Sequence, residues 1–157
     1  MQNEEEKLIA HAKGSIVRYN RDHHEKGDQD DPLYGFILTD SGSIIDGACF
    51  EAGIAHAVVC GERHAIASMV LQESYRSRIK SIVVADPVPS EQIHGRFPCG
   101  TCRNLIYKFG FPETTVFLLQ YIRSGENYTF PKIEKFTITE LYPYPYKVPE
   151  NLWNEKK

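Results

Sequence analysis

Three cysteines and one glutamate in this chain have the types and spacing to do metal chemistry. They stand in Cys60-Gly61-Glu62 and in Pro98-Cys99-Gly100-Thr101-Cys102. Three thiolates hold a zinc ion on three sides and leave the fourth tetrahedral corner open, which separates a catalytic zinc centre from a closed structural one. A glutamate two residues after the first ligand lies close enough to the metal to move protons without binding it. Water at such a centre has a pKa lowered toward neutrality, and Glu62 is the residue placed to take and return its proton. Three thiolates leave the centre net negative, so a donor to the sulfurs should restore some acidity. Arg63 follows Glu62 and Arg103 follows Cys102; Arg63 is the first choice for that contact.

The same cysteines admit two other readings. Cys49 could close the site as a fourth, structural ligand, although such sites usually come as paired C-x-x-C knuckles. Cys99 and Cys102 also have the spacing of a redox pair at a helix start, which leaves Cys60 and Glu62 without a role. His56, His64 and His94 lie near the motifs, but with three corners filled each reads as solvated or packed. His23 and His24 read as facing water.

The elements that must position these groups follow from periodicity. Cys60 falls at the start of a helix over 61–78, with Ala65, Ile66, Met69 and Val70 on one side. Cys99 and Cys102 open a second helix over 101–109, which Gly110 should stop. Helix starts carry free N–H groups and partial positive charge, and both stabilise a thiolate. Gly100 suits a tight turn between ligands. Upstream, Leu8, Ala12, Ile16 and Tyr19 mark a helix over 4–19, followed by a polar loop over 20–31. Strands are expected over 34–39 and 43–50, joined at Asp40-Ser41-Gly42 as a hairpin. Further strands are expected over 81–85, 115–120 and 135–139, with a loop over 86–97 and an irregular, proline-bearing stretch over 141–149. Arg76, Arg78 and Lys80 read as a solvated helix end. The order α, β, β, α, β, α, β, β predicts one domain over 1–157. Its fold class is a three-layer α/β/α sandwich on a five-stranded mixed sheet, with parallel neighbours in the second half.

The chain has 157 residues and a net charge of −3. No apolar run is long enough to span a bilayer, and the acidic N-terminus lacks a signal-peptide core. A cytoplasmic protein is expected, and in that compartment cysteines serve metals or catalysis more often than disulfides. Basic residues are scattered rather than gathered on one face. The expected partner is therefore a small molecule, with no polymeric nucleic acid and no membrane.

The pattern C-x-E followed by P-C-x-x-C is the signature of the zinc-dependent nucleobase deaminases. The segment from Cys60 to Ile66 resembles the C-A-E-R-x-A-I of the cytidine deaminase family in its small-subunit, three-cysteine form. Pro98 to Arg103 resembles its P-C-G-x-C-R. Leu38-Thr39-Asp40-Ser41-Gly42 sits where that family has its first hairpin, and Glu140-Leu141-Tyr142-Pro143 resembles its late E-L-L-P. The resemblance implies Zn2+ on Cys60, Cys99 and Cys102, with Glu62 catalytic. It also implies a homotetramer, or a dimer, with sites at subunit contacts. The implied reaction turns cytidine or deoxycytidine into its uridine counterpart and releases ammonia. In the pocket, the family's N-x-E falls at Cys49 and Glu51, its early Phe at Pro32 and its late stacking aromatic at Tyr146, with Gly61 beside the first ligand. The departures at Cys49 and Pro32 keep two alternatives open. One is an aminohydrolase for a modified base or a blasticidin-type nucleoside antibiotic. The other is a non-catalytic, zinc-stabilised binding protein.

Overall fold

Leu8, Ala12 and Ile16 recur at helical spacing and are fully buried. Their face lays the first helix, α1 (Glu4–Glu25), against one side of a β-sheet. The computed structural model describes residues 3–28, 30–50, 58–87 and 96–145. After α1 come β1 (Tyr34–Thr39), β2 (Ile44–Ala48), α2 (Gly61–Gln72), β3 (Ile79–Pro87), α3 (Gly100–Phe109), β4 (Gly110–Ser124), β5 (Asn127–Thr137) and the short α4 (Ile138–Leu141). The five strands lie in the order β2-β1-β3-β4-β5. β3 and β4 are parallel, and the other neighbouring pairs are antiparallel.

Side chains alternate between two cores, as the pleat requires. Tyr34, Phe36, Val83, Ala85 and Phe117 face α1. Ile37, Ile82, Val84, Val116 and Leu118 face α2, α3 and α4 through Met69, Ile106 and Ile138. The result is the α/β/α sandwich with a mixed sheet that the element order predicts.

Several boundaries differ from expectation. α1 runs on through Glu25, so the first half of the supposed polar loop is helix. Its start is fixed by a capping box between Asn3 and Glu6. Its last turns are polar and mostly exposed, but Asn20 is buried and accepts from the Tyr34 hydroxyl at 2.7 Å, and His24 pairs with Asp31. α2 stops at Gln72 rather than at residue 78. The Glu73 carboxylate turns aside to accept from Thr39 and Ser41, and Arg78 N–H donates to Asp40 at 3.0 Å. These bonds latch the segment after α2 onto the first hairpin. Lys80 therefore lies in β3, paired with Glu4, and not on a helix end.

β3 extends to Pro87, which places Asp86 in a strand. β4 and β5 form one long hairpin turned at Gly125, where φ is 62°. Only one strand pair in the second half is parallel. The register shifts where β5 carries Pro131, a residue that cannot donate to a ladder.

Candidate active site

α2 and α3 both begin at the end of the sheet where β1 starts and β3 stops, and each begins on a cysteine. Cys60 is the N-cap of α2 and Cys99 the N-cap of α3; neither side chain caps its own helix. Cys102 sits in the first turn of α3 and is buried. The three sulfurs lie within 4.8 Å of one another, and Cys60 Sγ is 3.9 Å from Cys99 Sγ. Sulfurs at ~2.3 Å from a tetrahedral zinc stand about 3.8 Å apart, so Cys60 and Cys99 have the spacing of two corners and Cys102 lies close enough to supply a third. No disulfide joins them.

α2 reaches this position because its first turn lies directly on the sheet backbone. A Cβ on Gly47 would come within 2.4 Å of the Gly61 carbonyl oxygen, and Gly35 and Gly61 allow similar contact between α2 and β1. Gly61 was expected in the substrate pocket; its visible role is this close approach. Gly100, by contrast, has open space around it and no positive φ, so the tight-turn argument does not apply there.

The electrostatics of the cluster call for a cation. Burial raises the Cys60 thiol, and the Glu62 and Cys99 charges add to the rise. Burial also pushes Cys102 far up, with Glu62 next in importance. Cys99 is the exception: burial opposes ionisation, but the N–H groups of Cys102 and Thr101 and the neighbouring thiols hold it below its ordinary value. A dication relieves this mutual repulsion. The donor set is all sulfur, which suits zinc among the divalent ions.

Glu62 is 6% exposed. Desolvation raises its pKa, partly offset by its own backbone N–H and by the Arg96 and Arg63 guanidiniums. Arg63 donates to the Val58 carbonyl. Its Nε is buried and has no hydrogen-bond partner among the described residues. Arg103 donates to the carbonyls of Pro98 at 2.8 Å and Leu141 at 2.9 Å. Both arginines thus brace backbone next to the ligands, and none of their described hydrogen bonds reaches a sulfur.

Cys49 stands apart from the three-sulfur group, half-buried, with its N–H on the Leu33 carbonyl at 2.7 Å. The closed site with Cys49 as fourth ligand therefore does not form. Pro32 accepts from the Tyr121 hydroxyl through its carbonyl at 2.6 Å. His64 meets the Ala48 N–H at 3.1 Å, at the end of β2. His24 faces Asp31 at 2.6 Å rather than water. Glu51, Tyr146, His56 and His94 lie outside the described residues.

Sequence reasoning passed over Asp86, Arg96 and Gln120. Asp86 and Gln120 are register partners on β3 and β4, both buried. Their only sequence signal was a polar residue ending an apolar run.

No family model and no curated protein matches the chain. Solved structures do. Cytidine deaminase from Burkholderia pseudomallei superposes with a TM-score of 0.60 at 20% identity, covering 85% of this chain and 98% of that one. The enzyme from Bacillus anthracis gives 0.57 at 16%, covering 98% and 95%. That from Mycobacterium tuberculosis gives 0.53 at 17%, covering 74% and 80%. The fold is that of the cytidine deaminases. Within this cytidine deaminase fold, the three thiols and Glu62 converge at one end of the sheet. No helix among the described residues is long and apolar enough to cross a membrane.

Proposed function

We propose that the protein is a zinc-dependent hydrolytic deaminase that removes the exocyclic amine of a pyrimidine nucleoside. One observation carries the reading: three sulfurs within 4.8 Å of one another, with the buried Glu62 carboxylate in the first turn of the helix that Cys60 begins. Cys60, Cys99 and Cys102 would hold a zinc ion, which would supply Lewis acidity and lower the pKa of the attacking water toward neutrality. Glu62 would take a proton from the attacking water while the new C–O bond forms at the amine-bearing carbon. It then delivers the proton to the adjacent ring nitrogen. In the second half the C–N bond breaks, and the amine leaves as ammonia after gaining a proton through Glu62. One water enters, one ammonia leaves, and the carbon ends as a carbonyl. Burial suits Glu62 to this two-way traffic, because a carboxylate with raised proton affinity is a better base.

The runner-up substrate is a modified base or a blasticidin-type nucleoside antibiotic. Cys49 favours it, since a thiol is a weak hydrogen-bond donor where the resembling family has an asparagine for the sugar. A homo-oligomer in the cytoplasm fits either substrate. The deciding experiment assays ammonia release from cytidine, deoxycytidine, cytosine and blasticidin-type compounds, with and without a chelator. Chelator-sensitive release from the nucleosides is expected. No release from any of them would leave the zinc-stabilised binding protein as the better reading.

A further inference from the structure

Cys99 is an exposed N-cap whose sulfur meets the other thiols and the first N–H groups of its own helix, so the segment before it helps to decide where it stands. Each residue of that segment is held by a different element. The Pro98 carbonyl is held by Arg103 of α3. Phe97 packs on Phe136 of β5 with ring centroids 5.4 Å apart, and under the Arg103 guanidinium. Arg96 is held by Asp86 of β3, where Nε lies 3.8 Å from Oδ2.

The Asp86 contact is unusual for its setting. The Arg96 side chain is 64% exposed, and an ion pair between two such side chains would contribute little. Asp86, however, is 4% exposed, and its strand partner Gln120 is 3% exposed. Both lie on the face of the sheet that carries α2 and α3, two residues beyond Val84 and Leu118 of that core. Asp86 Oδ2 and Gln120 Nε2 have no hydrogen bond among the described residues. A buried carboxylate needs a counter-charge, and removing that charge is strongly unfavourable. Desolvation raises the Asp86 pKa, and both the guanidinium and the backbone N–H of Arg96 draw it back down. A carboxylate that β3 cannot satisfy by itself therefore draws in the residue three positions before a metal ligand.

We propose that Asp86 is a positioning residue that fixes Cys99 for metal binding by clamping Arg96 onto the end of β3. The inference rests on the zinc reading of the cluster. It needs no assumption about the substrate.

The test measures zinc affinity of the full chain by competition with a chromophoric chelator, with cobalt absorption as a second view of the thiolate geometry. Asp86→Asn and Arg96→Gln should each weaken zinc binding about tenfold, the lower end of the range for residues that support ligands, and alter the cobalt spectrum in the same way. Because the two act through one contact, the double variant should be no weaker than the worse single. Arg96→Lys keeps the charge and should recover part of the loss. The metal-free melting temperature of Arg96→Gln should fall, because the Asp86 carboxylate is left buried without its counter-charge, so zinc affinity is compared at a temperature where every variant is folded. Wild-type zinc affinity in Arg96→Gln overturns the clamp, even if Asp86→Asn fails to fold. So does a double variant whose loss is the product of the two singles, or an Arg96→Lys protein no better than Arg96→Gln. A wild-type protein that takes up no zinc overturns the metal reading and the clamp together.

Discussion

The backbone of Gly61 rests against that of Gly35 with no space between them: a Cβ on Gly61 would lie 2.8 Å from the Gly35 nitrogen, and one on Gly35 would lie 2.9 Å from the Gly61 carbonyl carbon. Neither obstacle is a side chain that can swing aside. Gly61→Ala should therefore lift the first turn of α2, which carries Cys60 and Glu62. The expected loss is about 1–3 kcal/mol of stability, the range for overpacking, together with lower zinc content. Gly100→Ala meets nothing within 4 Å and should stay within about 0.5 kcal/mol of wild type. Denaturant unfolding and metal analysis of the pair check this. Equal stability of both variants would remove Gly61 from its proposed role.

The metal assignment predicts about one zinc per chain. Replacing Cys60, Cys99 or Cys102 with Ala should remove most of it, because three ligands leave no redundancy. Cys49→Ala should keep it, since Cys49 lies outside the three-sulfur group. Elemental analysis of dialysed protein decides the point, and full zinc in Cys99→Ala would sink the site.

Glu62→Gln separates chemistry from metal binding. It keeps the shape of the side chain but cannot carry a proton. Turnover should drop by at least about a hundredfold, the lower range for general acid–base catalysis, while zinc content stays at the wild-type level. Near-normal ammonia release from this variant would route the proton through another group.

A stability test concerns Glu5, which joins α1 to β5 through Lys135 at 2.7 Å. Desolvation raises its pKa, but hydrogen bonds from Lys135, Thr115 and Ser81 outweigh that and hold it below the ordinary value. A depressed carboxylate adds stability that is present above its unfolded-state pKa and lost as pH falls through its folded-state pKa. Glu5→Gln should thus destabilise at neutral pH by less than ~1 kcal/mol, because Lys135 is largely in water. The difference should fade in acid and in high salt. Urea titrations at both pH values measure it, and a deficit that persists unchanged in acid would assign Glu5 another role.

The gathering of Cys60, Cys99 and Cys102 was readable because thiolate chemistry constrains residue type and spacing in a few positions. The first hairpin was readable because Asp40-Ser41-Gly42 interrupts two apolar runs. The last turns of α1 were not, because residues facing water carry no apolar period and Asn20 reads as polar until Tyr34 is placed beside it. The β4–β5 hairpin was seen only in fragments, since Pro131 argues locally against a strand and its bulge is a property of the pair. Arg63 illustrates a different limit. Its position beside Glu62 suggested a sulfur contact, whereas the backbone of Val58 claims its guanidinium. Asp86 looked like the start of a loop, and its significance appears only when Gln120 and Arg96 converge on it from elsewhere in the chain.

Cys60 arrives from the connection after β2, while Cys99 and Cys102 arrive on the crossover into β4, and β3 runs between the two in the sheet. Bringing all three thiols together needs the segments on both sides of β3 in place. On the zinc reading, metal uptake would be a coincidence detector for a finished sheet: a half-assembled chain would offer one sulfur or two and compete poorly for zinc. An ion that binds only the completed chain stabilises it in proportion to the logarithm of its free concentration, so on that reading scarcity of zinc would lower this protein's stability along with its activity.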